Sequence, residues 1–161
     1  MRTVGLGLGW DELPVGYHFK TLARTITETD LVNFISTTGM LEVLFTDVEY
    51  AASNAPKGGR LAPGALVYSF AEGLLVQATL QRTGLAFLSM TFEVLAPTFV
   101  GDTIHVEVEV LESRATKKSS DRGLVRTKNN ILNQHDETVI TYSPLRLAAS
   151  SALRDRHSDS D

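Results

Sequence analysis

The sequence predicts an α+β fold in which an antiparallel sheet wraps one long apolar helix. Between Gly64 and about Arg82 apolar side chains recur with the period of a helix, and from Leu88 onward the period falls to two and stays there through four segments. Length sets the scale: 161 residues with no linker-like tract form one domain, large enough to bury a core without covalent staples.

The elements follow in order. Tyr17 to Ile26 reads as an extended strand. Thr27 then offers a side-chain cap, Leu31, Phe34 and Ile35 form a stripe, and Gly39 supplies the stop, so a helix runs from Glu28 to about Thr37. Asp47 to Ser53 is a short helical turn with Asp47 as its cap, and Asn54 to Gly59 is a loop. In the central helix Leu66, Val67, Phe70, Leu74 and Ala78 fall on one side, and Ser69, Glu72 and Thr79 on the other. Leu88, Met90, Phe92 and Val94 then alternate with polar residues, as do Ile104, Val106, Val108 and Val110 with His105, Glu107 and Glu109, giving two half-buried strands. Arg114 to Arg122 is a Lys/Ser-rich loop, Gly123 to Asn133 a third strand, Gln134 to Glu137 a hairpin turn and Thr138 to Leu147 a fourth strand. The domain is expected to span residues 1–147, with a disordered tail over 148–161.

Composition excludes several function classes. The chain has no cysteine, which removes disulfide scaffolds, thiolate nucleophiles, zinc fingers and iron–sulfur clusters. The four histidines, His18, His105, His135 and His157, are scattered, and no His/Asp/Glu group has ligand spacing, so no metal and no resident cofactor are expected. A net charge of −4 disfavours nucleic acid and anionic membrane as partners. The longest apolar run, Pro63 to Leu80, carries Glu72 and Gln77 and is too short and too polar to span lipid. The first ten residues lack the form of a signal peptide, so a cytoplasmic location is expected.

A resemblance rests on Thr25 to Asp30, Thr38-Gly39, Thr46 to Ala51, Gly59 to Gly64, Gly101 to Ile104 and Asn133-Gln134. In order and spacing these are similar to the MaoC-like dehydratases, single hot-dog domains that include the (R)-specific enoyl-CoA hydratases. The resemblance implies a hot-dog fold at least dimeric, with acyl-CoA or acyl-carrier thioester as substrate or ligand. It also implies an Asp and a His, five residues apart after the first helix, that add water to an enoyl thioester. Such chemistry needs one group to take the water proton and another to protonate the α-carbon. The family's oxyanion donor, a backbone N–H at the start of the central helix, falls on Gly64.

The sequence departs from that pattern where the proton transfer would occur. Met40 stands at the family's Asp position and Phe45 at its His position, and Pro63 precedes Gly64 where a His is common. Neither Met40 nor Phe45 can carry a proton. Glu42 is the one ionisable side chain inside the window and is a candidate acid/base if its apolar neighbours raise its pKa, against the plainer reading of a solvated loop carboxylate. Glu72 resembles the central-helix carboxylate of hot-dog thioesterases and is a candidate base for hydrolysis, against a solvated or interface role. Lys57, Arg60, Lys117, Lys118 and Arg122 are loop cations of the kind a CoA phosphate needs, with Lys57 and Arg60 nearest the motif. Three functions therefore stay open: hydration through an unusual acid/base, thioester binding as the partner subunit of a dyad-bearing homologue, and thioester hydrolysis through Glu72.

Overall fold

The computed structural model describes residues 3–156. Three long strands, β6 (Thr103–Ala115), β7 (Arg122–Leu132) and β8 (Thr138–Ala149), pair antiparallel in chain order because short links join them. β4 (Gly84–Val94) flanks β8, and β1 (His18–Lys20) flanks β6, giving the order β1-β6-β7-β8-β4; β2 (Arg24–Thr25) also pairs with β6. On the inner face lies α4 (Gly64–Leu75), whose Leu66, Val67, Ala71 and Leu75 are buried with Ile104, Val106, Ile131 and Val139 from the strands. Burial of these side chains is favourable at about 25 cal/mol per Å² of apolar area.

The segment before α4 is built from local caps. α1 (Glu28–Thr38) opens on a reciprocal pair in which Thr27 Oγ1 accepts from the Asp30 N–H and Asp30 accepts from the Thr27 N–H, and it stops at Gly39 with φ 73°. A turn of helix follows, α2 (Val43–Thr46), then α3 (Val48–Asn54), whose first N–H groups are held by the Asp47 carboxylate. β3 (Leu61–Ala62) pairs with β5 (Thr98–Phe99) and pins the start of α4 to the strand links.

The expected long strand over 17–26 is broken at Thr21, whose Oγ1 accepts the Val106 N–H in place of a ladder carbonyl. The central helix is α-helical only to Leu75 and then widens into a π turn over Val76–Leu80. That turn rotates the stripe, so Thr79 is buried and Ala78 exposed, the reverse of the sequence expectation. Thr79 tolerates burial because its hydroxyl donates to the Leu75 carbonyl. β4 is exposed at every position, although its alternation predicted a half-buried strand. It is the outer strand, with β8 as its one neighbour.

The expected tail is corrected as well. Ala148 and Ala149 are buried at the end of β8, and α5 (Ser151–Arg156) follows. What orders it lies about 140 residues away in the chain: Asp11 accepts from the Ser151 N–H and hydroxyl, and Arg154 pairs with Glu12 and donates to the Gly7 carbonyl. The remaining residues, 157–161 with His157, lie outside the described residues. Nearby, Gly123 admits the Trp10 ring, since a Cβ there would stand 2.3 Å from Trp10 Cγ.

Candidate functional site

The N-terminus of α4 opens onto a pocket of about 200 Å³. Leu44 and Phe45 of α2 form one wall, Pro63 and Gly64 the helix end, and Val94, Ala96, Thr98 and Ile140 the sheet side. Thr98 is the one lining residue with a polar side chain. Pro63 is the N-cap residue and supplies no side-chain acceptor, so the first N–H groups of α4 lack the usual side-chain partner. A Cβ at Gly64 would meet Val94 Cγ2 at 3.5 Å, an ordinary contact, so the glycine keeps the floor of the pocket open rather than relieving a clash. A helix end of this kind favours an oxygen that carries or develops negative charge.

The residues singled out in the sequence fall around this pocket unevenly. Phe45 lines it, packs on the main core and accepts at its carbonyl from Arg60 Nη1. Met40, 38% exposed, lies before α2 and is not part of the lining. Glu42 is the N-cap of α2: its Oε2 accepts the Leu44 N–H at 2.7 Å, and its side chain is outside the pocket. Arg60 is committed locally, to Glu28 Oε1 at 2.7 Å as well as to Phe45, and so braces the pocket wall. Lys57 is exposed at a left-handed position, φ 55°, in the turn after α3. Lys117, Lys118 and Arg122 sit at the other end of the sheet, where Arg122 faces Ala149; nine residues of β8, about 30 Å, separate that end from Ile140. Neither His18, His105 nor His135 lines the pocket.

Glu72 occupies a different place. It points to the sheet, where Oε1 accepts from Tyr142 Oη at 2.8 Å and from Arg146 Nη2 at 2.7 Å, while Oε2 also accepts from Arg146 at 2.7 Å. The two charged side chains are only 18% and 14% exposed. Around them Tyr68 stands edge-on to Tyr142 and Phe92, and the Arg146 guanidinium lies 4.9 Å from the Phe87 ring. Burial and the Glu72 carboxylate push the hydroxyls of Tyr142 and Tyr68 above the usual tyrosine range, Tyr142 far above it. The helical wheel alone had placed Glu72 on a polar side. The missed signal was Arg146, which the inward series Tyr142, Pro144, Arg146, Ala148 of β8 carries to the same face.

Among the described residues no His/Asp/Glu group gathers as a metal site, and no helix is long and apolar enough to cross a membrane.

Comparison with known proteins agrees with this geometry. A 3-hydroxybutyryl-CoA dehydratase of Methylorubrum extorquens is 30% identical over 105 residues, 65% of this chain and 65% of that protein, so the match spans just under two thirds of the relative's length. Among solved structures, a monoamine oxidase regulatory protein from Archaeoglobus is 30% identical with a TM-score of 0.77, covering 90% of this chain and 96% of that one. The unliganded R-hydratase PhaJ1 from Pseudomonas aeruginosa is 26% identical with a TM-score of 0.74, covering 90% of this chain and 88% of that one. The helix wrapped by a sheet is the hot-dog fold. Residues 12–131, from the turn before β1 to the end of β7, match the MaoC-like domain, and the chain belongs to the MaoC-like dehydratase family.

Proposed function

We propose that this domain binds an acyl thioester at the head of α4 and does not hydrate it alone, the proton-transfer pair being supplied by a dyad-bearing partner subunit. One observation carries the reading: the pocket presents an uncapped helix end suited to a thioester oxygen, yet Thr98 is its single polar side chain. A threonine hydroxyl has no pKa near neutrality with which to take a proton from water. Glu42 spends its oxygen on its own helix, and Glu72 is held by three donor contacts, so neither is placed as the acid/base of the other two readings.

The edge of β4 supports assembly. Leu85, Phe87, Leu88, Met90, Phe92 and Val94 are 39–53% exposed along a strand with one open side, an arrangement that invites pairing with a second copy or a homologue.

The test is to incubate the purified protein with short- and medium-chain enoyl-CoA, following the conjugated enoyl absorbance and free thiol together, with binding measured by calorimetry. Binding with both channels silent is expected, and turnover appears once a dyad-bearing homologue is added. Loss of enoyl absorbance by the protein alone overturns the partner reading in favour of hydration. Thiol release that Glu72→Gln abolishes overturns it in favour of hydrolysis.

A further inference from the structure

Thr98 has a place in the pocket at the head of α4 that its inertness as an acid or base does not explain. It is 4% exposed, and among the described residues its hydroxyl makes no hydrogen bond. A buried hydroxyl ordinarily has a partner. Its oxygen is not sealed in the core either, so what reaches it comes through the pocket. The backbone holds the residue in place on both sides. Thr98 stands opposite Ala62 in the β3–β5 pair, the Phe99 N–H donates to Asp102 Oδ2 at 2.8 Å, and the Val100 N–H donates to the Arg60 carbonyl. Ala62 comes two residues before Gly64, so one cross-strand step of about 5 Å and at most about 7 Å of chain separate the Thr98 and Gly64 Cα atoms.

The pocket limits what can stand between them. Its volume of about 200 Å³ holds about six or seven non-hydrogen atoms at about 30 Å³ each, the share of a water molecule in the liquid. A thioester carbonyl on a chain of about four to six carbons fills that space, and a longer chain has to leave it. Apart from Thr98 the lining side chains are apolar, Phe45, Val94, Ala96 and Ile140 among them. A carboxylate or ammonium on the chain would stand there without a counter-charge, since no charged side chain lines the pocket. A plain hydrocarbon leaves the Thr98 hydroxyl unpaired, and a keto oxygen accepts but cannot donate. A hydroxyl does both, as threonine does. We propose that Thr98 is the specificity-determining residue of this pocket and selects a short acyl chain, of about four to six carbons, that carries a hydroxyl close to its thioester. The selectivity deepens the thioester reading given above and rests on it.

The experiment measures the binding of CoA esters to the whole protein by calorimetry. 3-Hydroxybutyryl-CoA and 3-methylbutyryl-CoA share their shape and number of non-hydrogen atoms and differ in a hydroxyl against a methyl. The wild type is expected to prefer the hydroxyl ester roughly three- to tenfold, Thr98→Ser to keep that preference and Thr98→Val to reverse it. Butyryl, hexanoyl and octanoyl esters test the length. Affinity should rise to hexanoyl and stop there, where a deeper pocket would gain roughly tenfold from the two further methylenes. Equal affinity of the wild type for the hydroxyl and methyl esters overturns the proposal, and this comparison stands should a variant not fold. A loss in Thr98→Val that is equal for both esters also overturns it, because the threonine then serves the thioester oxygen that they share. A further tenfold gain for octanoyl overturns the length limit. Binding of no CoA ester at all refutes the thioester reading and the selectivity together, whereas ester binding without selectivity refutes the role of Thr98 alone.

Discussion

Replacing Arg146 by Met leaves Glu72 charged, less than one fifth exposed and dependent on the Tyr142 hydroxyl alone. Removing one member of a buried pair costs about 3–5 kcal/mol because the other charge stays behind without compensation. The surviving Tyr142 bond and the residual exposure place Arg146→Met near the lower end, about 3 kcal/mol, and for a chain of this length that is a fall of roughly 6–12 °C in Tm. Glu72→Leu with Arg146→Met removes both charges, and the double variant should return to within about 1 kcal/mol of the wild type. Urea denaturation of the two single variants and the double one gives the coupling directly. Arg24→Met is the control, since the Arg24–Asp30 pair is 48% exposed on the arginine side and should cost less than about 1 kcal/mol. Were Arg146→Met no worse than Arg24→Met, or the double variant as unstable as the sum of the singles, the pair would not be the buried, mutually dependent unit described.

Three further outcomes are expected. Gly123→Ala drives a methyl into the Trp10 ring, 2.3 Å from Cγ, and should cost about 1–3 kcal/mol by thermal denaturation, partly recovered by Trp10→Leu. Asp30 is pulled in opposite directions: its burial raises the pKa, but the Thr27 N–H and hydroxyl and the Arg24 guanidinium outweigh this and hold the carboxyl below its ordinary value. Its stabilisation is therefore complete above about pH 4 and is lost as pH falls through the lowered value, so Asp30→Asn should flatten the acid limb of a stability–pH curve, and an unchanged limb would contradict the assignment. If the edge of β4 pairs as proposed, Leu88→Lys puts a charge on it and should shift the assembly to monomer in sedimentation, and a monomeric wild type overturns edge pairing.

Elements that rest on contiguous signals were legible in the sequence. Thr27, Asp30 and Gly39 write both ends of α1 within a dozen residues, and the alternation Ile104, Val106, Val108, Val110 is the buried face of β6. The illegible parts are those decided by residues far apart. α5 reads as tail composition until Asp11 and Glu12 are brought beside it, and β4 reads as half-buried because alternation reports which residues share a face and says nothing about whether anything covers that face.

The site divides along the same line. Gly64 could be placed because a helix start is a local property, whereas the role of Glu72 depends on Tyr142 and Arg146, some seventy residues on. This bears on what a carboxylate near an acyl pocket is worth as evidence of catalysis. A general base must keep a lone pair for the proton it abstracts and must gain by taking it. Three of the roughly four lone-pair sites of the Glu72 carboxylate are taken by donors from Tyr142 and Arg146. The same pairing that makes the carboxylate conspicuous commits it to the sheet, which is why we propose that the proton-transfer pair comes from a partner subunit.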